Sequence, residues 1–406
     1  MKKQFRFLTV LASAMLLASC GGNNNPAVSS SEKPADTSSA VSSKDEGSSE
    51  AKTSADDSQP VEEKYNVAHG TGALFAEKEG FYAREASVFE EGGKRYVIYS
   101  TNETKGVDKV SFALREGNKG ADGKWTYGEK KTILSASDTG WDKTIAAPSV
   151  VKGNFVKGED TYHYLMAYQG NGSNGNVANS IGFAVAKTLD GDWVKLEESC
   201  NFTYDADTYG EQNYGYGSPE LLNLGSDGKL VMFYSWGETN LSSTRAVTLN
   251  FADLNNPVKE KGFRDVTVKG LVDKGEFTIF ANAGFALDTT DPNDSHILVT
   301  RDVFPLSSIA PGHSSSVEIA VADISIVDDI TESWSHMGEI TGFDTVGETD
   351  ETSLGWDQIF ASTFVTDEYG HVSNSEHPEV IYSACDGQGS YESDYRFSGF
   401  LCSKTM

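Results

Sequence analysis

Three short runs within residues 148–186 decide the fold class: Pro148-Ser149-Val150-Val151, then Tyr164-Leu165-Met166-Ala167-Tyr168, then Ile181-Gly182-Phe183-Ala184-Val185-Ala186. The first run starts at a proline, the second ends in an aromatic residue, and the third alternates small and apolar residues. Short runs rich in β-branched and aromatic side chains, bounded by polar turns, are typical of strands. This stretch therefore predicts three consecutive strands.

The same unit occurs five times in the chain. The other first strands are Ala86–Phe89, Pro219–Leu222, Gly284–Leu287 and Ser362–Val365, the second strands are Tyr96–Ser100, Leu230–Ser235, Ile297–Thr300 and Val380–Ala384, and the third strands are Val110–Leu114, Arg245–Leu249, Val317–Ala322 and Phe397–Leu401. The copies begin roughly 60 to 80 residues apart, a spacing that indicates a repeat architecture. In three units a tryptophan follows the third strand (Trp125, Trp193 and Trp334) and predicts a fourth, outer strand.

Radial repetition of four-stranded antiparallel sheets makes a β-propeller. We therefore predict an all-β domain, a five-bladed β-propeller, over residues 67–406. A β-sandwich of unrelated short strands is the alternative, but repetition of the whole strand order favours the propeller. We expect ring closure to pair strands from the two ends of the domain, because an open ring would leave an exposed edge.

The N-terminus predicts export. Residues 1–6 carry three positive charges, and residues 7–19 are almost wholly apolar or small. This apolar run is shorter than the about 20 residues of a membrane span, so residues 1–20 are predicted to be a secretory signal. Its ending, Leu17-Ala18-Ser19-Cys20, resembles the lipobox of bacterial lipoproteins. That resemblance implies an acylated Cys20 and a protein lipid-anchored on the extracellular face of a bacterial membrane. In the alternative, a plain signal peptide, Cys20 is incidental.

Residues 21–66 are rich in Ser, Ala and acidic residues and hold hardly any aliphatic ones. Such a segment buries too little apolar surface to offset its ordering entropy. We predict a disordered linker. A glycosylated stalk, the alternative, would have the same mechanics.

Charge and cysteine content restrict the partners. The chain has 60 acidic and 33 basic residues, a formal charge of −27, which argues against nucleic acid or an anionic membrane surface as a partner. We expect a monomer that touches the bilayer only through its acylated N-terminus. Once Cys20 is acylated, three cysteines remain and at least one stays unpaired; Cys385 and Cys402 lie in neighbouring predicted strands and could pair.

The sequence contains motifs that suggest a cofactor or metal, but they lack the neighbouring structure or spacing that such a site needs. The run Gly170-Asn171-Gly172-Ser173-Asn174-Gly175 matches the dinucleotide fingerprint, but a strand follows it where that motif needs a helix. The acidic residues between 288 and 294 lack calcium-loop spacing, and the histidines lack metal-ligand spacing. We expect neither a cofactor nor a metal.

Two segments resemble family 43 glycoside hydrolases, which include arabinanases and β-xylosidases. Residues 147–193, from Ala147-Pro148-Ser149-Val150 to Trp193, look like the second blade of that family, and residues 217–235, beginning Gly217-Ser218-Pro219-Glu220, look like its third. The likeness covers most of the chain after about residue 80, as a pattern. It implies a five-bladed propeller that acts on arabinan- or xylan-type oligosaccharides with inversion.

The resemblance also implies a carboxylate at the start of each of the first three blades: a general base, a residue that tunes pKa and orientation, and a general acid. Glu85 stands at the position of the base. Ser149 stands where the second carboxylate is expected, and Gly217 where the acid is expected, with Glu220 three residues further on. The catalytic set of the family is therefore incomplete in this chain.

Candidate site residues follow from the inner strand of each blade, whose first residues face the central channel. Tyrosines beside carboxylates suit a sugar, because ring faces stack on apolar sugar faces and hydroxyls form hydrogen bonds. We expect Glu85 as the base and either Glu220 or Glu211 as the acid, with a carboxyl pKa raised by burial. The expected substrate-binding residues are Arg84, Asp142, Ser149, Tyr214 and Tyr216.

Two functions therefore remain open. The first is a surface lipoprotein that acts on oligo- or polysaccharide as a hydrolase with displaced carboxylates. The second is a non-catalytic propeller that captures glycans or other solutes at the cell surface. An adhesion module is a third possibility, because a fold alone does not define a function.

Overall fold

A computed structural model of the protein describes residues 73–406 except 108, 174–175, 226, 239–240, 261, 274–277, 290, 292–294, 304–313, 315, 330, 342–357, 373–374 and 386–398. The predicted signal peptide with Cys20 and the predicted linker lie outside the described residues. Within the part that is described, no helix is long and apolar enough to cross a membrane.

The described chain forms five blades, each built from consecutive strands. Blade one holds β1 (Arg84–Glu91), β2 (Lys94–Asn102), β3 (Val110–Lys119), β4 (Trp125–Tyr127) and β5 (Lys131–Ser135); blade two holds β6 (Thr144–Lys157), β7 (Asp160–Asn171), β8 (Ser180–Ala186) and β9 (Val194–Lys195); blade three holds β10 (Gly215–Asn223), β11 (Lys229–Glu238), β12 (Leu241–Asn250), β13 (Val258–Lys259) and β14 (Arg264–Asp265); blade four holds β15 (Ala281–Asp288), β16 (His296–Val303), β17 (Ser316–Asp323) and β18 (Ser335–Thr341); blade five holds β19 (Gln358–Asp367), β21 (Glu379–Cys385) and β22 (Phe400–Thr405). The short β20 (His371–Val372) pairs in parallel with β15. A short α-helix (Ala206–Tyr209) and two 3-10 turns (Glu198–Cys200 and Ile324–Val327) lie between strands.

This architecture confirms the five-bladed, all-β prediction. Strand order in every blade runs outward from the inner strand through antiparallel neighbours, so the sandwich alternative is wrong. The tryptophans also mark outer strands as predicted: Trp125 opens β4, Trp193 directly precedes β9, and Trp334 directly precedes β18.

Ring closure uses both ends of the described domain. Strand β1 pairs in parallel with β19 of blade five, with Val88 opposite Val365. On the outer side of blade five, Ala73 forms an antiparallel bridge with Cys402 of β22, and the backbone N–H of Leu74 donates to the carbonyl of Leu401 (2.9 Å). The N-terminal segment therefore takes the place of the fourth strand of the last blade.

Apolar side chains fill the spaces between neighbouring blades. Phe183 of blade two packs edge-on against Phe251, which directly follows β12 of blade three, at 5.0 Å. Phe233 of blade three stacks on Phe285 of blade four at 4.0 Å. All four rings are buried. Burial of such rings is the main stabilising contribution of each interface, and it holds the inner strands in a ring.

Each inner strand carries one non-glycine residue in the left-handed region, at a shift in its register with the second strand. These five are Glu85 (φ 52°), Ala147 (φ 50°), Ser218 (φ 42°), Asn282 (φ 42°) and Ala361 (φ 47°). An L-residue in this region costs about 1–2 kcal/mol. Recurrence of the bulge in all five blades defines structurally equivalent positions around the axis.

The disulfide between Cys385 and Cys402 that the sequence allowed does not form. Cys402 is a free, buried cysteine, and its strand register places it opposite Tyr382. Burial raises the pKa of its thiol far above the ordinary range.

Candidate functional site

A cleft lies on the propeller axis where the five inner strands begin. All five left-handed residues line it, together with neighbours from the same strands and Gln169 of β7: Glu85, Ala86, Ala146, Ala147, Pro148, Gln169, Ser218, Pro219, Glu220, Asn282, Ala283, Ala361, Ser362 and Thr363. Its solvent space is about 40 Å³. That space suits a few water molecules or a ligand hydroxyl, so a larger ligand would lie over the cleft and insert only a polar group.

Glu85 is held firmly at the rim of the cleft. One oxygen of its carboxylate, Oε2, accepts from the Ser100 hydroxyl (2.9 Å) and from the backbone N–H of Ala147 (3.2 Å). Its own backbone N–H donates to the Ser383 hydroxyl (3.0 Å). These contacts tie blade one to blades two and five and fix the direction of the carboxylate.

Glu220 also lines the cleft and lies in β10. Its Oε1 accepts from the Ser149 hydroxyl (3.2 Å), and that hydroxyl accepts from the backbone N–H of Leu221 (2.9 Å). Burial raises the pKa of the Glu220 carboxyl to about 8, against a smaller lowering by the Ser149 hydrogen bond. The carboxyl is therefore protonated at neutral pH and can donate a proton.

Tyr214 and Gln169 occupy the space beside Gly217, the residue at which the resemblance to family 43 implies an acid. A side chain at Gly217 would overlap the Tyr214 hydroxyl and Oε1 of Gln169. The Tyr214 hydroxyl donates to that same oxygen (3.0 Å). Ser149, at the second position, joins blades two and three through the bonds just described.

Of the eight predicted site residues, only Glu85 and Glu220 line the cleft. Ser149 and Tyr214 are connected to it through their hydrogen bonds to Glu220 and Gln169, and the other four have different surroundings. Glu211 is exposed on a turn, and the Tyr216 ring packs on Trp236 (4.7 Å) in the core between blades two and three. Asp142 is buried in an ion pair with Lys195 (2.6 Å). Arg84 is buried with its guanidinium over the Tyr82 ring (4.3 Å).

The structure also brings residues to the cleft that sequence reasoning missed. Asn282 donates from Nδ2 to Oδ2 of Asp302 (2.7 Å), and the backbone N–H of Ala361 donates to Oδ1 of the same residue (2.9 Å). Burial above all, and the charge of Glu85 in addition, raise the pKa of Asp302 to about 8.

Asp302 belongs to a set of five equivalent polar residues on the second strands. In each blade this second-strand residue pairs with the inner-strand residue immediately before the left-handed one. The five second-strand residues are Ser100, Gln169, Ser235, Asp302 and Ser383. Five polar residues at one repeat position are a signal in the sequence, but it is readable only when the bulge register is known. Among the described residues, no three His, Cys, Asp or Glu side chains are grouped so as to hold a metal ion.

Fold and site together define a five-bladed propeller with two carboxyls at an axial cleft. A GH62 α-L-arabinofuranosidase catalytic domain from Coprinopsis cinerea has a similar structure, with a TM-score of 0.51, 13% identity, and coverage of 82% of this chain and 95% of that one. Two further similar structures are an α-L-arabinofuranosidase from Podospora anserina in complex with cellotriose (TM-score 0.48, 11% identity, 84% and 93% coverage) and a GH43_1 enzyme from Xanthomonas citri complexed with xylotriose (TM-score 0.47, 12% identity, 84% and 89% coverage).

No model of a protein family matches the sequence, and no curated protein matches it. At 13% identity the likeness to the Coprinopsis cinerea domain concerns the fold. This chain therefore has a glycoside hydrolase-like five-bladed propeller fold, as the resemblance to family 43 implied.

Proposed function

We propose that this chain is a lipid-anchored surface protein that hydrolyses arabinan- or xylan-type oligosaccharides, with Glu85 as general base and Glu220 as general acid. One observation carries the proposal: both carboxyls line the same axial cleft in contrasting environments. Glu85 accepts two hydrogen bonds on one oxygen, whereas burial keeps Glu220 protonated to a pKa of about 8. Two carboxyl groups in such different environments are the usual basis for dividing acid and base roles.

The chemistry follows from these two groups. Glu220 donates its proton to the glycosidic oxygen as the bond to the anomeric carbon breaks. Glu85 removes a proton from a water molecule that attacks the opposite face of the sugar, which inverts the anomeric centre. Inversion requires the two carboxyl groups to be about 6.5–9.5 Å apart so that the water fits between them and the sugar.

The test is hydrolysis of xylotriose and of short α-1,5-linked arabino-oligosaccharides. Glu85→Gln and Glu220→Gln should each lower kcat by about 10²–10⁴-fold, the usual contribution of a positioned acid or base. Glu211→Gln is the matched control, because Glu211 is exposed and away from the cleft. Full activity in Glu85→Gln, or an equal loss in Glu211→Gln, would contradict the assignment.

A non-catalytic glycan-binding propeller is the second candidate. It is favoured by the Tyr214 hydroxyl, which fills the position of the family acid at Gly217, and by the use of Ser149 as a link between blades. Calorimetric titration with the same oligosaccharides separates the two functions: binding without any released sugar selects the binding protein. If the protein neither binds nor cleaves these oligosaccharides, the carbohydrate assignment is wrong.

The surface location is proposed from the order of charged, apolar and small residues before Cys20. Stable anchoring needs more than one acyl chain, and the lipobox pattern places that modification on Cys20. Cys20→Ala should leave unprocessed precursor or release soluble protein, measured by fractionation and mass spectrometry of the N-terminus. Acylated, membrane-bound protein from this variant would contradict the proposal.

A further inference from the structure

Three of the five equivalent polar residues on the second strands cap the left-handed residue of the next blade. Gln169 Oε1 accepts from the backbone N–H of Ser218 (3.1 Å), Asp302 Oδ1 from that of Ala361 (2.9 Å), and the Ser383 hydroxyl from that of Glu85 (3.0 Å). Neutral side chains perform this task in two of the three junctions. This hydrogen bond does not require a carboxyl group, and the carboxyl group of Asp302 has a second oxygen that can make a further contact.

The second oxygen of Asp302 holds a residue of the cleft. Asn282 donates from Nδ2 to Oδ2 (2.7 Å), and Asn282 lines the cleft beside Ala361. This bond uses one of the hydrogen-bonding sites of a carboxamide and fixes the plane of the group. The remaining amide hydrogen and the carbonyl oxygen then have defined directions, as recognition of a ligand hydroxyl requires.

The charges around Asp302 come from two blades. The charge of Glu85 in blade one raises the pKa of Asp302, and the charge of Arg301, its neighbour on β16, lowers that pKa by a larger amount. Arg301 is itself paired with buried Glu318 of β17 (2.6 Å). The two neutral donors, Asn282 and the Ala361 N–H, complete the surroundings of a side chain that is only 1% exposed.

We infer that Asp302 is a positioning residue of the axial site: it fixes the Asn282 carboxamide for a ligand hydroxyl. The ligand contact of Asn282 rests on the proposed carbohydrate function, whereas the coupling of Asp302 to Asn282 is a property of the free protein.

The coupling can therefore be measured without a ligand. Carboxyl ¹³C resonances of the full chain are followed from pH 5 to 10, with that of Asp302 identified by its loss in Asp302→Asn. We expect a midpoint of about 8 for Asp302 and an Asn282 side-chain amide shift with the same midpoint, which Asp302→Asn should abolish. Ser235→Ala, at the equivalent position of blade three, is the control and should change none of these values.

An Asn282 amide shift that does not follow the titration of Asp302, or that persists in Asp302→Asn, would overturn the positioning role. With xylotriose, Asn282→Ala should raise KM or Kd about 2–10-fold, the usual effect of one hydrogen bond to a neutral group. Asp302→Asn should act in the same direction, and Ser235→Ala should have no effect. An unchanged KM in an active Asn282→Ala variant would overturn the ligand contact. If the wild-type protein neither binds nor cleaves xylotriose, both the ligand contact and the proposed function are wrong. The titration still tests the coupling between Asp302 and Asn282 in that case.

Discussion

At the scale of single residues, Gly217 and Tyr214 decide whether a side chain fits where the resemblance to family 43 implies an acid. The Tyr214 hydroxyl occupies the space that any side chain at residue 217 needs. Gly217→Ala should therefore destabilise the protein by about 1–3 kcal/mol through overpacking, measured by urea unfolding. Tyr214→Phe removes the overlapping oxygen and should recover part of that loss in the double variant.

Gly225→Ala is the matched control for this prediction, because nothing lies within 4 Å of a methyl group built there. Its free energy of unfolding should stay within about 0.5 kcal/mol of the wild-type value, as for most surface changes. Equal effects at residues 217 and 225 would show that Tyr214 leaves room for a side chain at the position of the family acid.

Glu220 should make stability depend on pH. Its folded carboxyl keeps a proton up to a pKa of about 8, whereas the unfolded one releases it near the ordinary value of 4.5. The folded state thus binds more protons in this window, so the stabilising effect is complete below about 4.5 and is lost as pH rises to 8. Glu220→Gln should gain stability relative to wild type between pH 5 and 8.5, measured by chemical unfolding. Asp302 titrates in both proteins and therefore does not affect the difference between their free energies of unfolding. A difference that does not change with pH, as expected for Glu211→Gln, would contradict the assignment.

At the scale of elements, the left-handed residue is the recurring feature of the inner strands. Ala361 and Ala147 adopt φ near 50°, at a cost of about 1–2 kcal/mol that glycine avoids. Glycine within a regular strand costs about 0.5–1 kcal/mol in backbone entropy. Ala361→Gly and Ala147→Gly should therefore be neutral or slightly stabilising in thermal unfolding. Ala184→Gly, in the buried regular strand β8, should be destabilising, and the same loss at all three positions would contradict the strained geometry.

This bulge also explains which parts of the molecule the sequence could predict. The strands followed from apolar periodicity, which depends on local residues alone, and Glu85 and Glu220 were placed at the channel because each starts an inner strand. Asp302 could not be found, because its place opposite Ala281 and its bond to Asn282 depend on the register shift between Ala281 and Gly284. Asp142 does not line the cleft, because its carboxylate is used in an ion pair with Lys195 of its own blade.

At the scale of the whole molecule, the five blades depend on closure of the ring. Blade five is completed by residues that precede blade one, through the bridge between Ala73 and Cys402 and the bond from Leu74 to Leu401. Glu77, in the same N-terminal segment, is buried against the Tyr99 hydroxyl (2.6 Å) and Arg115 (3.0 Å) of blade one. The segment thus connects the first and last blades, and loss of either end should weaken all five.

The last strand offers the direct test of closure. Leu401 is fully buried, so Leu401→Ala should cost about 2–5 kcal/mol, and deletion of the residues after Phe397 should lower the unfolding temperature further. Both variants should still unfold in one cooperative transition, followed by calorimetry and by tryptophan fluorescence, because closure links the blades into one unit. Val258→Ala, on the exposed outer strand of blade three, is the control and should change stability by less than about 0.5 kcal/mol. If the truncated chain keeps the unfolding temperature of the intact one, or loses blade five in a separate early transition, the ring does not depend on this closure.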